Sequence, residues 1–240
     1  MPLSTFKRYE LKFLLTLDQQ SAILPEIEKY MSPDKYCTDG RHYSIYNLYF
    51  DNDSDSVIQS SVRKPFFKEK LRLRSYLPSP NENDPVFIEL KRKINKTVTK
   101  RRACLTYSEA LDYIHNNKNL SSNNYIDNQV LREIDYFREI YNVYPKVFIR
   151  YDRRAYYGKE DSSLRLTFDK NIITRRENLL FNGDESGQRL IGENERLMEV
   201  KIAGGIPLWL TRTLEKNGIR QDSFSKYGNE YKAEVNNGNI

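Results

Sequence analysis

Polar and apolar residues alternate with a period of two along much of the chain, which predicts β-strands. In residues 68–76 the basic side chains at positions 68, 70, 72 and 74 share one face, and two leucines share the other. Residues 86–94 follow the same scheme, with Glu89 and Lys91 on the polar face. The other predicted strands are residues 6–13, 42–50, 97–105, 147–157, 164–169 and 195–202.

Helical patterns occupy stretches between and after these strands. Thr16 or Asp18 is typical of a helix N-cap, and Pro207 and Gly218 are typical of a helix start and stop. The predicted helices are residues 16–31, 51–62, 107–116, 126–142 and 208–217. Strands outnumber helices and do not alternate with them strictly, so we predict an α+β fold with mainly antiparallel strands.

The chain shows no internal repeat and no linker rich in Gly, Ser or Pro. We therefore predict one domain over residues 1–240, with a frayed tail over residues 232–240 that is rich in Asn and Gly. The 240 residues are 38% hydrophobic and carry a formal net charge of +6. This composition supports a real core and favours an anionic partner.

The charged strand faces are mostly cationic, with Glu interspersed. Each face alone is compatible with an ordinary solvated sheet surface, but so many solvated faces fit poorly into one compact domain. We therefore predict an antiparallel barrel with a polar, basic interior and helices packed on the outside. Packing Lys and Arg together is costly unless a polyanion, with a divalent metal on the Glu residues, compensates the charge.

Two cysteines and two histidines limit the possible chemistry. Cys37 and Cys104 form neither a metal motif nor a disulfide framework, which suits a reducing compartment. His42 and His115 stand far apart, which argues against a mechanism based on histidine. No segment approaches the ~20 apolar residues of a membrane span, so we predict a cytoplasmic protein and leave open a partner at the membrane.

The order of short motifs resembles the catalytic domain of the vacuolar transporter chaperone (VTC) polyphosphate polymerases, in the triphosphate tunnel metalloenzyme (CYTH-like) superfamily. The motifs are RYELK, RLR, ELK, TKRR, YDR, LRL, MEVK and SFSK. Each is common by chance, whereas eight in one order are specific. Arg8 replaces the first Glu of the superfamily motif, and Ser223 stands where eukaryotic members carry a further Lys. The resemblance implies a stand-alone catalytic domain.

The resemblance also implies roles for individual residues. The residues that would neutralise triphosphate oxygens in catalysis are Lys12, Arg72, Arg74, Lys91, Arg153 and Arg165. Those that would bind substrate are Arg8, Lys100, Arg101, Tyr151, Lys201, Ser225 and Lys226, with either Lys100 or Arg101 facing the tunnel. Glu199 would hold Mn²⁺ or Mg²⁺, with Glu10 and Glu89 as further metal ligands or as partners of Lys12 and Lys91. Asp169 either belongs to the same site or only pairs with a neighbouring Arg.

The reaction implied by the family is transfer of the γ-phosphate of ATP to a growing inorganic polyphosphate chain. Phosphoryl transfer needs mainly positioning and charge stabilisation, so no protein nucleophile is required. One alternative is an inorganic triphosphatase that uses the same tunnel with water as acceptor. The other is a non-catalytic module that binds polyphosphate or nucleic acid, although Glu beside Arg argues against nucleic acid. The oligomeric state stays open.

Overall fold

A computed structural model of the chain describes residues 9–37, 40–95, 97–115 and 124–240. The chain forms two compact units, each with an apolar core of its own. The first unit comprises Met1–Tyr43, Tyr151–Ile172 and Arg189–Ser225, and the second comprises Ser44–Arg150, Ile173–Gln188 and Lys226–Ile240. Each unit is assembled from segments that are distant in sequence. The single domain expected from sequence stays a prediction.

The elements alternate irregularly between strand and helix. In chain order they are β1 (Tyr9–Thr16), α1 (Leu17–Tyr30), β2 (Met31–Pro33), β3 (Tyr43–Asp51), α2 (Ser56–Val62), β4 (Phe67–Ser75), β5 (Pro85–Ile94), β6 (Thr97–Thr106), α3 (Tyr107–His115), α4 (Tyr125–Tyr141), β7 (Tyr144–Gly158), β8 (Arg165–Arg175), β9 (Gln188–Arg189), β10 (Glu195–Ile202), α5 (Leu208–Lys216), β11 (Gln221–Asp222) and α6 (Lys226–Asn236). Strands β7 and β8 contribute residues to both units.

In the first unit the strand order is β11–β1–β10–β8–β7, and β2 pairs with the end of β7. Every pairing recorded in register is antiparallel. One face of this sheet and helices α1 and α5 enclose an apolar core, whose members include Phe13, Ile27, Phe168, Met198 and Leu210. The opposite face carries the polar residues of the alternating pattern.

In the second unit the strand order is β7–β3–β4–β5–β6. Strands β3 to β6 pair antiparallel in register. Their apolar face packs with α2, α3 and α4 around a core that includes Leu48, Leu71, Ile88, Ile134 and Phe137. The period-two alternation therefore leaves most basic residues of β4, β5 and β6 together on the other face, with Arg92 and Arg101 as the exceptions.

Local sequence signals account for several helix ends. Thr16 caps α1 through a capping box, in which its side chain accepts from the backbone N–H of Gln19 and the Gln19 side chain accepts from the Thr16 N–H. Helix α5 begins directly after Pro207 and is followed by Gly218 at φ +64°, a left-handed conformation that glycine adopts readily.

The predicted fold class, α+β with mainly antiparallel strands, is confirmed. The predicted strands appear with ends shifted by at most three residues, except that β8 runs six residues beyond its predicted end. Residues 6–8 of the first predicted strand lie outside the described part. Helix α6 was not predicted, and it includes residues 232–236, which we expected to fray. Residue 124 is the N-cap of α4, whereas residue 116, the predicted end of the preceding helix, lies outside the described residues. None of the described helices combines the length and apolar character needed to cross a membrane.

Candidate functional site

A charged cluster occupies the polar face of the second unit. It contains Arg72 and Arg74 of β4, Glu89 of β5, and Lys100 and Arg102 of β6, and we call it the Glu89 cluster. The register explains it, because Glu89 lies directly opposite Arg72 on one side and Arg102 on the other. The guanidinium of Arg72 approaches Glu89 to 2.7 Å and the ammonium of Lys100 approaches it to 2.6 Å, while Arg74 and Arg102 lie at 3.9 Å.

Charge and burial shift the pKa values within this cluster. Burial alone would raise the pKa of Glu89, which is 1% exposed, but the charges of Arg72, Arg74 and Lys100 lower it to about 2. Burial lowers the pKa of Lys100 to about 8, although the nearby Glu89 carboxylate opposes that shift. One carboxylate thus faces four cations, and the excess positive charge favours binding of an anion.

Strand β3 orients the two arginines of β4. The Nε of Arg74 donates to the side-chain oxygen of Asn47, which is itself held because its Nδ2 donates to the Ile149 carbonyl. The Arg72 guanidinium donates to the hydroxyl of Tyr49 at 3.0 Å. Asn47 and Tyr49 lie opposite these arginines in the strand register. The sequence analysis missed both residues because only the pairing of β3 with β4 identifies them.

The register also separates Lys100 from Arg101. Lys100 is on the face of the Glu89 cluster, whereas Arg101 points to the opposite face and bonds Gln129 and Glu133 of α4. Arg101 is therefore removed from the candidate substrate-binding set. Arg102, two residues after Lys100, takes its place on the polar face. Lys91 lies on the same face as Lys100, its partner in register.

A second charged cluster occupies the polar face of the first unit. It contains Glu10, Lys12, Arg153, Asp169 and Glu199, and we call it the Glu199 cluster. The ammonium of Lys12 lies 3.3 Å from Glu10 and 3.5 Å from Glu199. Arg153 binds Asp169 through two hydrogen bonds of 2.7 Å and lies 3.4 Å from Glu199. Asp169 thus pairs with an arginine, as the sequence analysis allowed.

The other candidate residues of the first unit border the Glu199 cluster. Arg165 and Lys201 face each other in the register of β8 and β10. Tyr151 is buried, and its ring centroid lies 5.1 Å from the Arg153 guanidinium. Burial would lower the pKa of Arg153, but the charge of the Asp169 carboxylate and its hydrogen bonds raise it well above its usual value. Arg153 therefore stays charged at any physiological pH.

The sequence model of the VTC domain matches residues 7–235. The chain belongs to the VTC domain family. This confirms the resemblance drawn from the order of the motifs. Family membership supports phosphoryl transfer as the class of function.

Two solved structures share the fold of this VTC domain. A putative adenylate cyclase from Bacillus halodurans aligns with a TM-score of 0.54 and 13% identity, over 90% of this chain and 92% of its own. A putative adenylyl cyclase from Hippeastrum, which has a dominant triphosphatase activity, aligns with a TM-score of 0.52 and 17% identity, over 95% of each chain. No curated protein matches the sequence.

The Glu199 cluster has donors that suit a divalent metal. Glu10 and Glu199 both contact one ammonium, so a cation is already stabilised between them. The hydroxyl oxygen of Thr167, which lies opposite Glu199, is buried and has no hydrogen-bond partner in the described part of the chain. Among the described residues, no group of three or more His, Cys, Asp and Glu residues is placed so that it could hold a metal ion by itself. Mg²⁺ commonly takes one or two carboxylates and completes its shell with phosphate oxygens and water.

Glu89 does not suit a metal, because four cations surround its carboxylate. The predicted alternative, that Glu89 orients basic side chains, agrees better with these contacts. Of the last motif, Ser225 ends the first unit, while Lys226 is buried at the first residue of α6 in the second. Arg8 lies outside the described residues.

Proposed function

We propose that this VTC domain is a metal-dependent polyphosphate polymerase, which transfers the γ-phosphate of ATP to the end of an inorganic polyphosphate chain. The observation that carries the proposal is the pair of charged sheet faces, on which hydrogen bonds hold Arg72, Arg74 and Arg153 in place. One face also carries two carboxylates around a single cation. Family membership supports phosphoryl transfer as the reaction class.

The Glu89 cluster would bind phosphate oxygens through Arg72, Arg74, Lys100 and Arg102. Arginine offers several donors in a fixed plane and so matches the oxygens of a phosphate group. Asn47 and Tyr49 restrict the arginine side chains before any ligand binds, which lowers the entropy lost on binding. Glu89 keeps its negative charge throughout the physiological pH range, because the neighbouring cations hold its pKa at about 2.

Lys12 and Arg153 of the Glu199 cluster, together with the bordering Arg165, would stabilise the negative charge of the transferring group. Glu199 and Glu10 would hold Mn²⁺ or Mg²⁺. When bound, the metal would supply positive charge to phosphate oxygens. Arg153 is fastened by Asp169 and cannot change its charge, so its contribution is to position and stabilise the phosphoryl group.

The proposed reaction needs no protein nucleophile. A terminal oxygen of the polyphosphate chain attacks the γ-phosphorus of ATP, a new P–O–P bond forms, and the bond between the γ-phosphorus and the ADP oxygen breaks. The chain gains one phosphate and ADP leaves. Catalysis then comes from positioning and from charge stabilisation in the transition state.

The test is to incubate the protein with ATP and Mn²⁺, with and without a short polyphosphate primer, and to measure ADP, free phosphate and polyphosphate together. We expect ADP and polyphosphate with little free phosphate, and no turnover after EDTA. Glu199→Gln should lower turnover at least about 100-fold, the loss typical of enzymes that lose one group that stabilises transition-state charge. Arg102→Ala removes a cation of the Glu89 cluster and should also lower turnover. Its matched control is Arg101→Ala, which removes a cation from the opposite face of the sheet.

A triphosphatase is the second candidate, favoured by the fold shared with the Hippeastrum protein that has this activity. Release of free phosphate in step with ADP, or from tripolyphosphate alone, would establish it and refute the polymerase. Tight binding of polyphosphate without turnover and without any effect of EDTA would leave only a binding module. The cytoplasmic location and the membrane-protein partner expected from sequence stay predictions.

A further inference from the structure

The cationic face of the second unit continues beyond Glu89 as a group of lysines. Lys70 of β4 lies opposite Lys91 of β5, and Lys68 lies opposite Lys93. Lys64 precedes β4 at φ +55°, a left-handed conformation that is uncommon for residues other than glycine. We call Lys64, Lys68, Lys70, Lys91 and Lys93 the lysine cluster. It contains two like-charged pairs at adjacent positions of neighbouring strands.

Like charges directly opposite each other destabilise a sheet. The pKa of Lys68 is lowered first by burial and then by the charges of Lys93, Lys91 and Lys64. Lys64, Lys68 and Lys93 form no salt bridge with any carboxylate in the described part of the chain. Lys68 has instead a hydrogen bond of 3.3 Å to the Ser61 carbonyl. The arrangement costs stability in the absence of an anion.

The opposite face of the same strands is built differently. There Arg92 binds Glu69 and Glu133, and Arg101 binds Glu133. Glu69 lies between Lys68 and Lys70 in sequence, so the strand alternation directs its carboxylate away from the lysines. Carboxylates thus neutralise the arginines that pack against α4, whereas Lys64, Lys68 and Lys93 have none within salt-bridge distance among the described residues. This asymmetry points to an anion that comes from outside the protein.

We infer that the lysine cluster is a separate binding subsite for the more distant phosphates of a long inorganic polyphosphate chain. The inference rests on the proposed function, because the same sheet face would bind the phosphates nearest the reaction. Four strand positions separate Lys68 from Arg72, so the cluster extends the cationic face by about 14 Å along β4. Its occupancy would give longer chains a higher affinity than triphosphate.

The side chains favour an inorganic chain over nucleic acid. The ring of Tyr227, 5.6 Å from the Lys70 ammonium, is only 2% exposed, so it gives bases no stacking surface. Lysine is a mobile point charge on a flexible stem, without the directional donors of arginine. It can follow phosphates of a chain that advances by one unit per turnover, whereas the arginines of the Glu89 cluster suit a phosphate held in one place.

The test compares Lys68→Ala/Lys93→Ala with the wild type in equilibrium binding of tripolyphosphate and of long-chain polyphosphate. We expect about a tenfold loss of affinity for the long chain, and for that ligand a salt slope smaller by about 1.4 for the two lost contacts. Affinity for tripolyphosphate should change less than about twofold. Lys35→Ala/Lys216→Ala removes the same charge from exposed positions and should leave both affinities unchanged.

Unfolding measurements separate this role from a structural one. Because the substitution removes like-charge repulsion, the melting temperature of the free variant should be equal to that of the wild type or higher. Equal losses for both ligands, or no loss for the long chain, would overturn the inference. If an oligothymidylate bound the wild type as tightly as long-chain polyphosphate does and lost the same affinity in the double variant, that result would assign the cluster to nucleic acid. Because binding needs no turnover, a protein that lacks polymerase activity but shows the selective loss would refute only the proposed function.

Discussion

Glu89 shows how one side chain can organise several others. Its carboxylate is buried and holds Arg72 and Lys100 at hydrogen-bond distance, so it offsets part of the repulsion among four cations. The pKa of Glu89 is lowered to about 2, against an ordinary value of 4.5. A carboxyl group with a depressed pKa stabilises the folded state above its unfolded pKa, and this contribution is lost as the pH falls towards the folded pKa.

We predict that Glu89→Gln lowers the free energy of unfolding at pH 7 by about 3 kcal/mol, the value that corresponds to its pKa shift and to a broken buried ion pair. The difference between variant and wild type should shrink as the pH falls from 4.5 towards 2, because the wild-type carboxylate then becomes protonated. Urea unfolding over this pH range measures it. Tripolyphosphate should stabilise the variant more than the wild type, because a bound anion replaces the missing charge.

The control for this prediction is Glu133→Gln, which removes a carboxylate bound to Arg92 and Arg101 on the opposite face of the sheet. The Glu133 side chain is more exposed, so we expect a loss of about 1 kcal/mol or less. Its response to tripolyphosphate should equal that of the wild type. A Glu89→Gln variant as stable as the wild type would show that the four cations do not need the carboxylate.

Among the structural elements, the strands were the most accessible to sequence analysis. The period-two pattern shows which residues share a face of one strand, and this was enough to place Arg72 with Arg74. It does not show which residues of two strands are opposite each other. The choice between Lys100 and Arg101 therefore stayed open, and Asn47, which reaches Arg74 from β3, was not recognised.

Helix α6 was not recognised because polar contacts, rather than an apolar stripe, hold it in the second unit. Arg176 donates two hydrogen bonds to Asp55 at the start of α2 and two to Glu230 of α6. The hydroxyl of Tyr227 donates to the buried Asp51 at 2.7 Å. A sequence pattern identifies a helix by its apolar period, so a polar segment of this kind looks like a frayed tail.

We predict that Arg176→Met destabilises the protein by about 3–5 kcal/mol at pH 8, because it leaves two buried carboxylates without a cation. Burial already raises the pKa of Glu230 to about 7 against the opposing effect of Arg176. Without the arginine, Glu230 should take up a proton more readily, so the loss should be smaller at pH 6. Urea unfolding at the two pH values measures the difference.

Two further variants define what this result means. Adding Glu230→Gln to Arg176→Met should restore part of the stability at pH 8, because one uncompensated charge is removed. Arg220→Met, at an exposed position of the first unit, should change stability by no more than about 0.5 kcal/mol. If the loss at pH 6 equalled that at pH 8, the destabilisation would come from lost packing and not from the buried charges.

For the whole molecule, the net charge of +6 is distributed unevenly. Each unit encloses an apolar core on one side of its sheet and carries charged residues on the other. The Glu89 cluster has four cations for one carboxylate, whereas the Glu199 cluster, with two cations and three carboxylates, comes closer to balance. We therefore predict that polyanions stabilise the folded protein mainly by binding to the Glu89 cluster of the second unit.

We predict that tripolyphosphate at 100 times its dissociation constant raises the melting temperature by about 5–10 °C. Such binding adds about 2.7 kcal/mol to the free energy of unfolding. For a protein of this size, each kcal/mol raises the melting temperature by about 2–4 °C. Because the contacts are electrostatic, added salt should weaken the binding and reduce the shift. Arg72→Ala/Arg74→Ala should lose most of the shift, whereas Arg101→Ala, on the opposite face, should retain it. Equal shifts in these two variants would mean that the anion stabilises the protein elsewhere, and the role proposed for the Glu89 cluster would then be wrong.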